Sequence, residues 1–378
     1  MDAQEQFWVR VLLYDDILSC VLESRTPFYV SEGPAKPSIA QFHGGEEVYT
    51  IRTKQGKFII DGKQFTTNEI LVQTRAPCIL TMNGSAYRGK LRLFLNPDGA
   101  SFDVINVLPL EAYLLGVVGA EMPDYWEPEA LKAQAVAART YCLYIKNRFG
   151  KDRRWDVTRT TANQVYEGVQ AESKSIWDVI TRTSGMVLVS EDSGRLIPAY
   201  YSSVCGGHTE DSVNVFGPED ESLQGVPCPY CKHIVKSDLY FWPTVKFDVN
   251  TVSKKLLNRY PSLAKLGDII DINSIKPSTY NSFSRPTYLK VIGSTGKSDT
   301  LRAEDFRLTV DPSGMLIKSS TFNIEKKHNK WIISKGRGFG HSVGMCQSGA
   351  QGMAREGKSK EQILMYYYPG TTLKNIYE

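Results

Sequence analysis

Several features that would narrow the class of this protein are absent from its sequence. No apolar run in the 378 residues approaches the roughly twenty that a membrane-spanning helix needs. There is no block of lysine and arginine, no heptad repeat and no low-complexity tract, so a charged tail or a coiled coil is not expected. The first residues, MDAQEQFWVRVLLYDD, lack the basic segment of a signal peptide. We therefore expect either a cytosolic protein or a chain whose leader has been removed.

Charge and cysteine content limit the possible binding partners and disulfide pairings. Lysine and arginine number 45 and aspartate and glutamate 41, which gives a formal net charge of +4. This mild excess is compatible with an anionic partner, such as wall polymer or nucleic acid, and equally with an ordinary surface. The seven cysteines are an odd number, so they cannot all pair within the chain. The length suits one large domain or two ordinary ones.

The order of sequence patterns predicts an α+β protein. Residues 1–106 contain short alternating segments separated by turn residues, which predicts a β-rich N-terminal region. A long alanine-rich helix should begin at Pro128, because proline is favoured at the first helical position and Gly150 supplies a stop. Residues 107–378 would form the second domain. Within it, residues of about 245–335 alternate again and predict a β-rich subdomain or insertion.

The clearest chemical signal is a set of cysteines and histidines in SVCGGHTED and VPCPYCKH. Cys205 and His208 form one chelating pair, and Cys228 and Cys231 form a second pair. Each pair places its ligands about one turn apart, which suits the tetrahedral sulfur and nitrogen shell of zinc. His233 is a further candidate, since the same turn could present it in place of His208. The sequence therefore predicts a zinc site, structural in character.

Two other readings of these residues stay open. Cys228 and Cys231 could form a redox dithiol or a disulfide, although no thioredoxin-like βαβ pattern surrounds them. Cys205 could be a nucleophile with His208 as its base. A base three residues away argues against that reading, because catalytic partners normally come from distant segments.

A single acid also stands out. In GVVGAEMPDYWEPEALKAQAVAARTY, Glu121 follows an apolar run and precedes the helix that starts at Pro128. It could be a charge that favours the positive end of that helix, or a working acid at the mouth of a groove. The residues alone leave both possibilities.

The glycine-rich segment GRGFGHSVGMCQSGAQGMA runs from Gly336 to Ala354. It lacks the endings and spacing of phosphate-binding loops. Its backbone should approach another group closely, with His341, Gln347 and Ser348 available for hydrogen bonds. A tight packing corner and a ligand-lining loop are both compatible with this pattern.

Taken in order, GAEMP with PEALKAQAVAARTY, TTANQVYEG, AYYSSVCGGHTED, GFGHSVGMCQSGAQGMA and ILMYYYPGT resemble the stage II sporulation protein D family, also described as amidase enhancers. The resemblance covers roughly Val107 to Thr372. It implies a peptidoglycan lytic transglycosylase that acts on glycan strands stripped of their stem peptides. It also implies that the catalytic acid is the glutamate of the E-M-P motif, here Glu121, and we expect partial desolvation to raise its pKa.

The resemblance implies further site residues, partners and a location. The expected sugar contacts are Gln134, Arg139, Gln164, Tyr166, Ser203, His341 and Gln347, and a ring such as Tyr166 or Tyr201 would stack on a sugar. Expected partners are peptidoglycan glycan strands and a cell-wall amidase, in a sporulation- or division-like role, with no nucleic acid and no transmembrane segment in this chain. The protein would act outside the cytoplasm, in the periplasm or wall space. Two alternatives remain: a non-catalytic enhancer that binds glycan or an amidase, and a zinc-stabilised interaction protein.

The sequence departs from the family pattern at two places. Ser202 stands ahead of the Ser-x-Cys-Gly-Gly motif, where relatives carry a histidine. If that histidine is a metal ligand in relatives, His208 must serve here or the site differs. In the glycine-rich motif, Cys346 and Ser348 replace a small polar residue and an aromatic one, so sugar binding beside Glu121 could be altered.

Overall fold

In the computed structural model of this chain, residues 7–33, 36–75, 78–217, 223–278, 280 and 285–378 are described. The chain divides into two compact units. Unit 1 comprises residues 1–126, 134–187 and 374–378, and unit 2 comprises residues 127–133 and 188–373. The expected boundary near residue 107 does not coincide with this division. The prediction of a mixed α and β protein is confirmed.

The described part of unit 1 begins with twelve strands. They are β1 (Trp8–Ile17), β2 (Ser19–Glu23), β3 (Phe28–Ser31), β4 (Ser38–Phe42), β5 (Val48–Lys54), β6 (Lys57–Ile60), β7 (Lys63–Phe65), β8 (Glu69–Thr74), β9 (Ile79–Met82), β10 (Ser85–Arg88), β11 (Lys90–Leu95) and β12 (Phe102–Pro109). Alternation of apolar and polar side chains produces them, as in β11, where every second residue is buried. These twelve strands lie between residues 8 and 109.

These strands form two sheets together with a short strand, β13 (Val157–Thr158). The first has the order β13-β1-β12-β11-β8-β3-β4, and the second has the order β10-β9-β2-β5-β6-β7. In the first sheet, β13 runs parallel to β1, while β1 and β12 are antiparallel, with Val9 opposite Leu108. Both of those side chains are fully buried.

Three helices complete the described part of unit 1. They are α1 (Leu110–Glu121), most of α2 (Pro128–Phe149) and α3 (Lys174–Arg182). Helix α2 starts at the predicted proline, and its first six residues belong to unit 2. The strands β14 (Met186–Ser190) and β25 (Thr371–Asn375) are each divided between the units. No helix in the described ranges is long and apolar enough to cross a bilayer.

Unit 2 combines short strands with helices. In chain order they are β15 (Tyr201–Ser202), α4 (Ser212–Val215), α5 (Ser237–Tyr240), β16 (Phe241–Trp242), β17 (Val245–Asp248), α6 (Val249–Arg259), β18 (Ile269–Pro277), β19 (Pro286–Gly293), β20 (Ser298–Arg302), α7 (Ala303–Val310), β21 (Asn323–Lys327), β22 (Lys330–Ser334), β23 (Gly336–Arg337), β24 (Met345–Cys346), α8 (Gln347–Arg355) and α9 (Lys360–Tyr367). The two short helices predicted near the end of the chain are α8 and α9.

The segment from 245 to 335 has a hydrophobic core. Two three-stranded sheets, β17-β22-β21 and β18-β19-β20, lie in this segment with α6 and α7. Their buried side chains, including Phe306 and Trp331, form one cluster. The strands expected from the alternating pattern are present here. The two helices form a second layer that packs against the strands.

Candidate active site and cysteine cluster

Glu121 is the last residue of α1. The helix ends there because Met122 precedes Pro123, and a residue before proline is pushed from helical to extended backbone. Met122 has φ −137° and ψ 142°, and its N–H closes the last turn onto the carbonyl of Val118 at 3.0 Å. Glu121 therefore lies in the final turn of one helix and is not a first-turn charge of the next. Its side chain is half-buried.

The carboxylate of Glu121 is held by a backbone donor. The N–H of Val165 donates to Oε1 of Glu121 at 2.9 Å. Val165 belongs to the segment TTANQVYEG, which the sequence had singled out without indicating its geometry. The two motifs, 44 positions apart, thus meet at one hydrogen bond.

Gln164 fixes the backbone that supplies this donor. Its side chain is fully buried. Its Oε1 accepts from the hydroxyl of Tyr113 on α1 at 3.1 Å, and its Nε2 donates to the carbonyl of Ala138 on α2 at 3.1 Å. The loop is thereby tied to both helices beside Glu121, so the N–H of Val165 is oriented by buried contacts.

The four sugar contacts predicted in unit 1 lie inside it. Gln134, Arg139 and Gln164 have no exposed surface, and Tyr166 is 2% exposed. The hydroxyl of Tyr166 donates to Asn106 at 2.8 Å, and its ring packs beside Tyr113 and Tyr87 with centroids 5.1 and 5.9 Å away. Each of these four side chains is enclosed by the packing of the unit, and their contact with sugar stays a prediction.

Arg139 has a structural partner. Its Nε and Nη2 donate to the two carboxylate oxygens of Glu111 at 2.9 and 2.6 Å, and its Nη1 donates to the carbonyl of Met186 at 3.1 Å. A guanidinium held in this bidentate way is satisfied within the fold. Arg139 therefore serves packing at this position.

The three contacts predicted in unit 2 lie on the glycine-rich segment and beside it. Ser203 and His341 are half-buried, and Gln347 is 5% exposed. Nδ1 of His341 accepts from the N–H of Val343 at 3.0 Å. Burial lowers the pKa of His341 to about 4, so this imidazole is neutral at pH 7. The loop packs tightly, since a Cβ at Gly344 would lie 2.1 Å from the carbonyl oxygen of Tyr200.

Four cysteines meet in the interior of unit 2. The sulfur atoms of Cys205, Cys228, Cys231 and Cys346 all lie within 4.8 Å of one another, and all four residues are buried. Parallel pairing of β15 with β24 brings Cys346 to the segment that carries Cys205. All seven cysteines of the chain are free thiols, and the sulfurs of Cys205 and Cys231 are 3.8 Å apart. The disulfide reading therefore does not describe this cluster.

The fourth sulfur corrects the predicted ligand set. Cys346 completes the cluster, and His208 does not belong to it. The ring of His208 stacks on Tyr280 with centroids 3.8 Å apart, and its Nδ1 lies 2.7 Å from the carbonyl of Thr209. His233, the other candidate, is exposed and is not part of the cluster either. Parallel strand pairing is the reason, because it places a residue from the distant glycine-rich motif beside Cys205.

Neighbouring groups hold the sulfurs in place. The N–H groups of Cys205 and Gly349 each donate to the sulfur of Cys346 at 3.3 Å, and the hydroxyl of Tyr367 lies 3.1 Å from the sulfur of Cys228. Hydrogen bonds from the other three thiols lower the pKa of Cys228 well below its usual value. A Cβ at Gly349 would lie 2.6 Å from the sulfur of Cys228, so only glycine leaves room for it.

A buried ion pair supports the backbone of the cluster. Arg285 and Glu210 are 4% and 1% exposed, and their side chains lie 3.3 Å apart. Nη2 of Arg285 donates to the carbonyl of Cys205 at 3.1 Å. The spacing of the sequence gave no indication of this contact, which links the start of β19 to the cysteine-bearing loop.

The comparisons with known proteins agree with this arrangement of motifs. A family model described as SpoIID, stage II sporulation protein, matches residues 98–189. Stage II sporulation protein D of Bacillus subtilis (strain 168) is 32% identical over 284 residues, which cover 71% of this chain and 75% of that protein. This chain belongs to the SpoIID family. The resemblance inferred from the ordered motifs is thereby confirmed.

Two further relatives of this SpoIID-family chain differ in coverage. An uncharacterized protein of Brachyspira hyodysenteriae is 38% identical over 293 residues, covering 78% of this chain and 73% of that protein. A Bacillus subtilis protein named amidase enhancer is 29% identical over 366 residues, covering 86% of this chain and half of that protein. The matched family segment contains Glu121, Gln164 and Val165, whereas the four cysteines lie beyond it.

Proposed function

We propose that this SpoIID-family protein is a peptidoglycan lytic transglycosylase, with Glu121 as its single general acid and base. The substrate is a glycan strand without stem peptides, and the reaction breaks the bond between N-acetylmuramic acid and N-acetylglucosamine. The observation that carries the proposal is the half-buried carboxylate of Glu121, held at 2.9 Å by the N–H of Val165 within a buried network.

A favourable interaction with a helix dipole does not account for this carboxylate. Glu121 occupies the last turn of α1, where the helix dipole disfavours a negative charge by about 0.3–1 kcal/mol. The reading of Glu121 as a helix-stabilising charge is therefore not supported. A carboxylic acid kept partly out of water beside apolar residues is suited to proton transfer. Val117 and Val118 are fully buried and Met122 is 1% exposed.

The reaction needs one carboxyl group. Glu121 donates its proton to the bridging oxygen as the bond from that oxygen to C1 of muramic acid breaks. The primary hydroxyl of the same muramic acid then attacks C1, a new C1–O bond forms, and the hydroxyl proton passes to the Glu121 carboxylate. The acid is regenerated and the product carries a 1,6-anhydro end. Ordinary glycosidases need a second carboxylate because water or an enzyme nucleophile does the work of that hydroxyl.

Substitution of the acid tests the assignment. The Glu121→Gln variant keeps the size of the side chain and an acceptor for the N–H of Val165, but it cannot donate a proton as an acid. We expect it to bind peptide-free strands as the wild type does and to lose strand cleavage. Cleavage at the wild-type rate by this variant would remove Glu121 from its proposed role.

We also propose that the four-cysteine cluster holds zinc and that the ion stabilises unit 2. A tetrahedral site with zinc–sulfur bonds of about 2.3 Å places its sulfurs about 3.8 Å apart, and Cys205 and Cys231 match that spacing. Four thiolates leave no open position for substrate, so the ion would contribute to folding rather than to the reaction.

The name of the amidase enhancer relative favours a second candidate function. In that case the protein binds glycan or a cell-wall amidase and stimulates the amidase without cutting strands. Either role places it on peptidoglycan, outside the cytoplasm. Strand cleavage by the purified chain in the absence of an amidase distinguishes the two functions.

A further inference from the structure

Tyr125 is exposed to an unusual degree. Its side chain is 82% exposed, and no large apolar side chain in the described ranges is more exposed. An isolated exposed aromatic ring adds little to the fold, because almost none of its surface is removed from water. The ring is therefore available to contact a ligand.

The backbone that carries Tyr125 is fixed on both sides. Met122 is buried, and the N–H of Trp126 donates to the carbonyl of Pro123 at 3.0 Å. The hydroxyl of Ser175 donates to the carbonyl of Asp124 at 2.9 Å, which ties the turn to the start of α3. The ring thus projects from an ordered turn and not from a loose loop.

This turn directly follows the proposed catalytic acid. Tyr125 lies four positions after Glu121, and four extended residues span at most about 14 Å between Cα atoms. A glycan strand bound with its scissile bond at Glu121 extends over several sugar rings in each direction. A few sugar rings span a distance of this order.

We propose that Tyr125 is a stacking surface for a pyranose ring of the glycan strand, an inference that rests on the proposed function. The C–H bonds on one face of a pyranose are weakly positive and meet the negative face of an aromatic ring. Tyrosine has only two side-chain torsions, and its backbone is already ordered here, so little conformational entropy is lost on binding. The phenol hydroxyl can stay in water or meet a sugar hydroxyl.

Two other aromatic residues of unit 1 are less suited. Tyr166, the ring expected to stack from the sequence, is buried. Trp177 is 45% exposed, but the guanidinium of Arg88 lies 5.2 Å from its ring centroid and its Nε1 donates to Glu172 at 3.0 Å. One face of that ring is already covered, whereas Tyr125 offers its ring to solvent.

Binding is measured in the Glu121→Gln variant, so that strands are not consumed. Adding Tyr125→Ala should weaken retention on peptide-free glycan strands about tenfold, the size expected for the loss of one aromatic contact. Tyr125→Trp should restore binding. Phe241→Ala is the matched control, because Phe241 is also exposed, at 45%, but packs on Tyr240 in unit 2. Equal retention of the Tyr125→Ala and parent proteins would overturn the proposal.

Kinetics separate this inference from the proposed function. With Glu121 intact, Tyr125→Ala should raise KM for strand cleavage while kcat changes little, because a contact remote from the reacting bond contributes uniform binding. The thermal midpoint should stay unchanged, which excludes a merely structural effect. Strands that bind in a Tyr125-dependent way but are never cut would refute the transglycosylase and support the contact. Cleavage with an unaltered KM in Tyr125→Ala would refute the contact alone.

Discussion

The N–H of Cys205 donates to the sulfur of Cys346 at 3.3 Å, although 141 positions separate the two residues in the sequence. This contact joins the Ser-x-Cys-Gly-Gly motif to the glycine-rich motif. From the sequence, Cys346 was interpreted as a substitution that could alter sugar binding. In the fold, Cys346 is the fourth sulfur of the proposed zinc site.

Removing the fourth sulfur should release the ion. We expect wild-type protein to carry close to one equivalent of zinc by elemental analysis and the Cys346→Ser variant to carry much less. The variant should also unfold at a lower temperature, because structural zinc contributes its binding free energy to folding. His208→Ala is the control and should keep the zinc. Loss of zinc from the His208 variant, with zinc retained by the Cys346 variant, would restore the ligand set first read from the sequence.

Gln164 should act through the position of Val165. Gln164→Met keeps the volume but leaves the Tyr113 hydroxyl and the Ala138 carbonyl without that partner, which should lower the free energy of unfolding by about 1–3 kcal/mol. In the fraction that stays folded, kcat for strand cleavage should fall, because the donor to Glu121 is no longer held.

Gln170 provides the comparison for Gln164, since it is an exposed glutamine in the same part of unit 1. Gln170→Met should leave kcat and stability close to those of the wild type. Urea unfolding and cleavage kinetics measure the two quantities. An unchanged kcat in Gln164→Met would show that orientation of Val165 is not needed for the reaction.

His341 should contribute to the pH dependence of stability. Burial lowers its pKa in the folded protein to about 4 from the ordinary value of 6.5. Between these values the unfolded chain binds more protons, so this contribution to stability is fully present above pH 6.5 and is lost as pH falls towards 4. His341→Gln should therefore show a shallower decline in unfolding free energy across that interval. Parallel pH profiles for the two proteins would contradict a neutral imidazole with a lowered pKa.

Periodicity predicted much of the fold. Strands such as β11 and β12 bury alternate or near-alternate side chains, and α2 has a proline at its start. Helix α1 was missed because LEAYLLGVVGAE is buried on most sides and lacks a polar face to reveal its period. A local sequence pattern does not predict such a helix, because the residues that bury it lie elsewhere in unit 1.

The site could be predicted where its residues lie together in short sequence motifs. Three of the four cysteines fall in two short motifs, and Glu121 stands in a motif specific to the family. The fourth cysteine depended on strand pairing. The exposures of Arg139 and Tyr166 depended on packing, which motif matching does not contain. Tyr125 was not identified from the sequence, because no sequence pattern distinguishes an exposed aromatic ring from a buried one.

The most direct test of the central claim is the chemistry of the new strand ends. Wild-type protein is incubated with peptide-free glycan strands in water enriched in oxygen-18, and the products are weighed by mass spectrometry. The account predicts anhydro-muramic acid ends without the heavy isotope, absent from the Glu121→Gln reaction. Reducing ends that carry oxygen-18 would identify a hydrolase, and strands left intact by wild-type protein would contradict the enzyme altogether.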